Sequence, residues 1–306
     1  MKPPIGFVLA THANPAQILF LCEQLSARFD RPPISIHHDF GQTPLNTALF
    51  PTNVHFVEDW VKTRWGGFGV VEGEFRALRQ LYQKDDPDWF FNISSADHPI
   101  KTAKQILDEL YSNPYDAYID TREIRYCRLP VPPEGWGDQN FIAPAWVTLA
   151  FERYMAIGFG YYKLATRMGW RKKAIYLRGS FFVRNFTPFD GSLKCFAGDH
   201  WFTANREAAE AILADSDSNR RLYAHFRRRP NSDEAIFQTI LGNTALRLST
   251  DNKRYTDWRG CTNHPRTLTE ADFPALFASG DYFARKFDFN PDLLHKLNQR
   301  IDKAQG

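Results

Sequence analysis

Trp89-Phe-Phe-Asn-Ile-Ser94-Ser-Ala-Asp97-His-Pro-Ile-Lys-Thr102 decides the fold. Its first six residues read as a buried strand, and the Ser-Ser-Ala-Asp that follows favours a turn. Thr102 with Gln105 three positions later forms a capping box, in which each side chain satisfies a free backbone N–H of the other residue. Ile106, Leu107 and Leu110 then recur at helical spacing. Strand, polar turn and capped helix make one βα unit.

The same alternation runs upstream of it. Phe7 to Thr11 reads as a buried strand, and Pro15 to Ala27 as a helix with Ile18, Leu21, Cys22 and Leu25 on one face. Pro33 to Asp39 and Val54 to Val57 are further strands. Val70 to Tyr82 is a helix with Val71, Phe75, Leu78 and Leu81 in register. Downstream, Tyr115 to Asp120 is a fifth strand. This order predicts the α/β class, with a mostly parallel central sheet and helices on both faces. Beyond residue 120 the pattern loosens. Residues 121–150 are proline-rich and read as a long loop or excursion. Helices are expected at Ala208 to Leu213, at Asp233 to Leu241 behind Ser232 as N-cap, and at Asn290 to Ala304 opened by Pro291.

Composition narrows the function classes. Of 306 residues, 43% are hydrophobic and 24% charged, which excludes disordered, collagen-like and disulfide-scaffold chains. No apolar run approaches the ~20 residues of a spanning helix. Met1-Lys-Pro-Pro-Ile-Gly6 is not followed by an h-region and cleavage site, so no signal peptide is expected. The net charge of +3 gives no argument for a nucleic-acid partner. Cys22, Cys127, Cys195 and Cys261 lack zinc spacing and read as free thiols in a reducing compartment. The aromatic share of 15% suits a core, and also a sugar site, where rings stack on pyranose faces.

Ligands of parallel sheets bind beyond the carboxyl ends of the strands. Three of these strands end in polar groups: Thr11-His12, His37-His38-Asp39 and Ser95-Ala-Asp97-His98. They form either a polar cleft or ordinary turn caps. His37 and His38 point to opposite faces of a strand, which disfavours a shared metal ion. Two DxD sequences occur. Asp86-Pro-Asp88 precedes its strand, on the wrong edge, and Asp215-Ser-Asp217 reads as a solvated loop. No glycine-rich phosphate motif is present. Arg254, Arg259, Arg266, Arg285 and Lys286 fall within 33 residues, among several aromatics. They are either a diphosphate grip or a basic face. Glu234 is either a helix-start acid or a catalytic carboxylate.

Eight segments, taken in order, carry a resemblance. They are Ile34-Ser-Ile-His-His-Asp39, Trp65-Gly-Gly67, Phe91 to Thr102, Gly198-Asp-His-Trp-Phe202, Ser232-Asp-Glu234, Arg254-Tyr-Thr-Asp-Trp258, His264-Pro-Arg266 and Phe283-Ala-Arg-Lys-Phe-Asp288. Over about residues 6–290 the chain resembles the core-2/I-branching β-1,6-N-acetylglucosaminyltransferases and peptide O-xylosyltransferases of glycosyltransferase family 14. The resemblance implies a GT-A-like fold, a UDP-sugar donor and inversion at the anomeric carbon, with no divalent metal or other cofactor. Glu234 matches the general base. Arg266 and Lys286 match the pair on the donor diphosphate, and Asp39 matches an acid near the uridine. Asp97 is placed with the donor, and Trp258, Trp201 and Asp199 with the acceptor.

Two departures stand out. Asp199 replaces the serine that usually follows Gly198, and Lys62 replaces an aromatic at the uridine. The implied organisation is a single domain over 1–306. Residues 1–120 form the nucleotide-binding half, and 121–306 hold the acceptor and the diphosphate. The implied activity is transfer of N-acetylglucosamine or xylose from a UDP-sugar to a glycan or other hydroxyl acceptor. A non-catalytic sugar-nucleotide or glycan-binding module is the alternative. A retaining or hydrolytic enzyme would need a second carboxylate close to Glu234. Animal members carry a membrane anchor and a disulfide-bearing stem. Neither is read here, so the expectation is a minimal bacterial relative, cytoplasmic or peripheral to the inner face of the membrane.

Overall fold

The structure, a computed structural model, describes residues 2–124, 149–166, 169–177, 180–261 and 264–303. The first half runs β1 (Ile5–Thr11), α1 (Pro15–Arg28), β2 (Ile34–His38), β3 (Val54–Phe56), α2 (Gly69–Lys84), β4 (Trp89–Ser94), β5 (His98–Pro99), α3 (Ala103–Ser112), β6 (Ala117–Tyr118) and β7 (Arg122–Ile124). The second half continues with a hairpin, β8 (Ile157–Thr166) and β9 (Gly169–Leu177), then α4 (Ser180–Phe186) and β10 (Cys195–Ala197). Next come β11 (Phe202–Asn205), α5 (Arg206–Leu213), α6 (Asp217–Phe226) and α7 (Ile236–Gly242). β12 (Leu248–Ser249), β13 (Arg254–Thr256), α8 (Phe273–Ala278), β14 (Phe283–Arg285) and α9 (Pro291–Lys303) complete the order.

Seven strands form the central sheet in the order β12-β6-β11-β4-β1-β2-β3. The expected parallel pairing holds for β1 with β2 and β4, for β2 with β3, and for β6 with β12. β11 runs antiparallel to β4 and to β6, so the sheet is mixed. It enters from the second half of the chain and needs no helical crossover to lie between them. Helices flank both faces. Phe90 of β4 packs with Val71, Phe75 and Leu78 of α2 on one side. Phe91 and Ile93 pack with α1 and α3 on the other. Successive strand residues face opposite sides. A strand buried on both sides therefore reads as a continuous apolar run, and truncating one such Phe to Ala costs roughly 3–5 kcal/mol. The arrangement is consistent with a GT-A-like fold.

A third cluster matters for function. Leu294, Leu297 and Ile301 of α9 pack on Phe273, Leu276 and Phe287. They back a small sheet, β13-β14-β5. Because β5 follows β4 within a few residues, its pairing with β14 carries Arg285 and Lys286 to the carboxyl edge of the main sheet.

Several local expectations change. The capping box at Thr102 forms, with Thr102 Oγ1 accepting from Gln105 N at 3.2 Å and Gln105 Oε1 accepting from Thr102 N at 3.1 Å. The fifth strand shrinks to Ala117–Tyr118. Ser232 is not the N-cap of a helix over 233–241. Its hydroxyl lies 2.7 Å from the carbonyl oxygens of both Phe226 and Arg229, sharing its one proton between them, and so closes the end of α6. Ser232–Glu234 forms a 3-10 turn, and α7 starts only at Ile236. Most of the proline-rich stretch and Cys127 lie outside the described residues. Cys22, Cys195 and Cys261 form no disulfide. No helix among the described residues is long and apolar enough to cross a membrane.

Candidate functional site

A cleft of about 490 Å³ opens at the carboxyl ends of β1 and β4. The structure brings five expected residues to its wall: Glu234, Lys286, Trp258, Trp201 and Asp199. It does not bring Asp39, Asp97 or Arg266 there.

Glu234 sits on the 3-10 turn ahead of α7. Its Oε2 accepts from Tyr154 Oη at 3.0 Å and from Arg153 Nη1 at 3.1 Å. Both donors lie in a π-helical turn, Phe151–Met155, a wide form found often at functional sites. The Glu234 side chain is 40% exposed, so the carboxylate is held from behind and open in front. Burial and the neighbouring Asp233 raise its pKa, against the pull of Arg153 and Tyr154. Glu234 precedes α7, so it is not an acid in that helix's first turn.

A second set of charges lies beside it. His200 Nε2 donates to Glu74 Oε1 at 2.6 Å, and its Nδ1 is 3.3 Å from Asp233 Oδ2. Burial alone would lower the imidazole pKa, but the two carboxylates hold it up at about 9. His200 is therefore an imidazolium at neutral pH. Asp233 Oδ1 and Glu74 Oε2 are buried without a hydrogen-bond partner among the described residues. His200 stacks on Trp201 at 4.0 Å, and the Arg285 guanidinium lies 4.9 Å from the same indole. Gly198 ties this segment to the turn, since its N–H donates to the Glu234 carbonyl at 2.9 Å. A Cβ there would stand 1.9 Å from the Asp120 carbonyl oxygen, so only glycine lets the chain pass.

The basic cluster divides in two. Arg254 is buried as scaffold: it donates to Thr203 Oγ1 at 2.9 Å and lies 5.1 Å from the Phe283 ring. Arg259 pairs with Asp257, and Arg266 bridges Asp257 at 2.6 Å and Asp272. These charges are already met. Lys286 and Arg64 line the cleft and make no ion pair among the described residues. Arg285 has only a loose one, 3.8 Å from Asp97 Oδ1.

Asp39 accepts from Thr63 N at 2.6 Å, Gln42 Nε2 at 2.8 Å and Gly41 N at 3.0 Å. Burial works to raise its pKa, but these bonds win and hold it at about 2. Asp39 thus clamps Gln42 and Thr63, which do line the cleft. Asp97 accepts from Ser94 N at 2.8 Å and from the Ser94 hydroxyl. His37 and His38 have separate partners, Val61 N and Thr11 Oγ1. Asp86 and Asp88 pair with Arg206 at the opposite edge. Among the described residues no three His, Cys, Asp or Glu are placed to share a metal ion.

Sequence reasoning missed Glu74, Arg153, Tyr154 and His200. His200 lies inside a quoted motif and could have been singled out, whereas Arg285 was already among the basic candidates. Glu74, Arg153 and Tyr154 belong to no motif and reach the site only through the fold.

The core-2/I-branching enzyme profile matches residues 5–126 and 163–277. Beta-glucuronosyltransferase GlcAT14A of Arabidopsis thaliana is 26% identical over 266 residues, covering 84% of this chain and 53% of that protein. Xylosyltransferase 1 of Rattus norvegicus is 24% identical, covering 80% of this chain and 28% of that protein. Xylosyltransferase oxt of Drosophila melanogaster is 26% identical, covering 83% and 28%. The chain thus spans about half the length of the plant relative and less of the animal ones. These relatives are eukaryotic and lend the expected bacterial source no support.

Proposed function

We propose a function from one premise: the chain belongs to the core-2/I-branching enzyme family, and that membership implies a glycosyltransferase reaction. The proposal is an inverting transferase that moves a sugar from a UDP-sugar to an acceptor hydroxyl. N-acetylglucosamine and xylose are the donor sugars first expected, and the plant relative's name adds glucuronic acid to the set. One observation carries the reading: a half-exposed carboxylate with raised proton affinity shares a strand-edge cleft with Lys286 and Arg64, which make no ion pair among the described residues.

Glu234 takes the proton of the acceptor hydroxyl as its oxygen attacks C1 of the donor. Such base catalysis contributes ~10²–10⁴-fold, and it improves as the base's pKa approaches the working pH. The C1–O bond to UDP breaks on the opposite face. Lys286, Arg285 and Arg64 stabilise the charge on the departing diphosphate, in the place a divalent metal takes in other sugar-nucleotide sites. Arg266 acts one step back. Its neighbour Leu268 donates to the Lys286 carbonyl at 2.8 Å, so the bridged Asp257–Arg266–Asp272 strap fixes the strand that presents Lys286. Asp39 holds Gln42 and Thr63 toward the donor. Trp258 offers a stacking face to the acceptor sugar, and Asp199 a carboxylate where a serine is usual.

Calorimetric titration with UDP-GlcNAc, UDP-xylose, UDP-glucuronic acid and UDP-glucose tests the reading. One donor should bind, and its affinity should survive EDTA. Failure of all four refutes the donor site. Loss in chelator with recovery in Mn²⁺ refutes the cation grip. Binding without transfer in single turnover would favour a module that holds sugar nucleotides without catalysis.

A further inference from the structure

A second cavity, of about 740 Å³, lies behind the wall that holds Glu234. Arg153 belongs to both sides: it donates to Glu234 and it lines this cavity. The other cations here are Arg221, Arg228 and Arg229, at and just beyond the C-terminal part of α6. Arg221 is met by Asp190 at 2.5 Å. Arg229 is half-buried, yet among the described residues its guanidinium donates only to the Ala156 carbonyl, and burial lowers its pKa. Arg228 has no side-chain partner among the described residues. Glu152, also on the wall, already has a partner. His225 Nε2 donates to the Tyr154 carbonyl at 2.7 Å, and burial lowers its pKa to about 3, so it adds no charge at neutral pH.

Arg228 and Arg229 therefore face one cavity without a carboxylate partner among the described residues. A guanidinium carries five N–H donors in a fork that fits carboxylate and phosphate oxygens. Arg228 is exposed, while Arg229 is partly desolvated with no carboxylate partner among the described residues, a cost that an anion would relieve. The β8–β9 hairpin contributes Ile157 and Tyr176 to the same cavity.

We propose that this cavity is an acceptor subsite for an anionic group, a carboxylate or a phosphate, carried by the molecule that receives the sugar. The proposal rests on the transferase reading above. Arg228 and Arg229 hold the anion, and the acceptor's hydroxyl end extends past Arg153, which joins this cavity's wall to Glu234. The volume suits a sugar residue or two.

The test titrates cellobiose, cellobiouronate and cellobiose 6′-phosphate into the full chain, with and without saturating UDP. At least one acid should bind at least about tenfold tighter than cellobiose at low salt and lose that margin in high salt. Which acid wins identifies the source of the charge. Arg228→Glu, at an exposed position, should abolish the preference while UDP affinity stays unchanged; Arg229→Gln should do the same if it folds. Equal binding of all three sugars, absence of binding, or a preference that survives Arg228→Glu overturns the proposal. The UDP-free arm reads the cavity even if the donor site is wrong.

Discussion

Two charged clusters of similar composition meet different fates. Around Arg266, the carboxylates of Asp257 and Asp272 and the guanidinium of Arg259 close on one another. Around Glu234, the balance is left open. Among the described residues Asp233 Oδ1 and Glu74 Oε2 find no hydrogen-bond partner, Glu234 is pushed toward its neutral form, and the His200 imidazolium is shared between two carboxylates. Saturated charge fixes a chain, while unsaturated charge near a cleft is available for chemistry. Motif letters cannot distinguish the two, because the difference lies in which partners the fold supplies.

The sharpest way to break this contrast is Glu234→Gln. The amide keeps shape and cannot accept a proton, so transfer should fall by at least ~10²-fold, the lower bound for a lost general base. Stability should hold or rise. A carboxyl whose folded pKa is raised binds its proton more tightly when folded, so between its ordinary and raised values stability falls as pH rises. The neutral amide removes that loss. The wild-type rate should fall as pH drops through the raised pKa. Single-turnover rate, donor affinity and melting temperature, measured together, decide. Retained transfer would shift attention to Asp233 and Asp199, and a clear loss of stability would make Glu234 a structural acid.

Next in size is Lys286→Ala against Arg266→Ala. Losing a charge-assisted contact to phosphate costs roughly 1.5–3 kcal/mol, so Lys286→Ala should weaken UDP about ten- to a hundredfold and uridine hardly at all. Arg266→Ala should lower the melting temperature and move UDP affinity by less than about threefold. Equal losses of UDP affinity in both variants would mean that the Asp257–Arg266–Asp272 bridge opens when the donor binds. The contrast between the clusters would then hold only for the empty protein.

The same contrast marks what the sequence could tell. β1, β2, β4 and the helices between them were legible because burial on both faces writes itself as apolar runs and helical spacing. β11 was not, since a four-residue strand between Trp201 and α5 has too few residues to show a period, and its neighbours are set by long-range pairing. At the site, Glu234 and Lys286 were legible as letters in motifs. The saturation of Arg266 was not, because Asp272 reads as the capping-box partner of Thr269, and only the fold shows that it also meets Arg266. Arg153 and Tyr154 were invisible, being 80 or more positions from Glu234 and held against it only by a π turn.

The smallest effect is also the most specific to the open cluster. A histidine whose folded pKa is raised stabilises the protein fully below its unfolded value, near 6.5, and loses that contribution as pH rises through the folded value. For His200 the window runs from about 7 to beyond 9. The other shifted histidines act in the opposite sense. His37 and His98 are lowered to about 4 by burial, so they cost stability in acid and contribute no slope above pH 7. Unfolding free energy should therefore peak near neutrality and fall by roughly 1–2 kcal/mol between pH 7 and 9. His200→Gln should flatten that descent. It should also move the acid limb of the transfer rate to higher pH, because the imidazolium opposes the rise in the Glu234 pKa and its removal leaves burial and Asp233 unopposed on that side. A structural role alone would shift the melting temperature by a similar amount at every pH and leave the limb in place. Parallel stability curves for His200→Gln and wild type would show that Glu74 and Asp233 do not hold a charged His200, and the two clusters would no longer differ in kind.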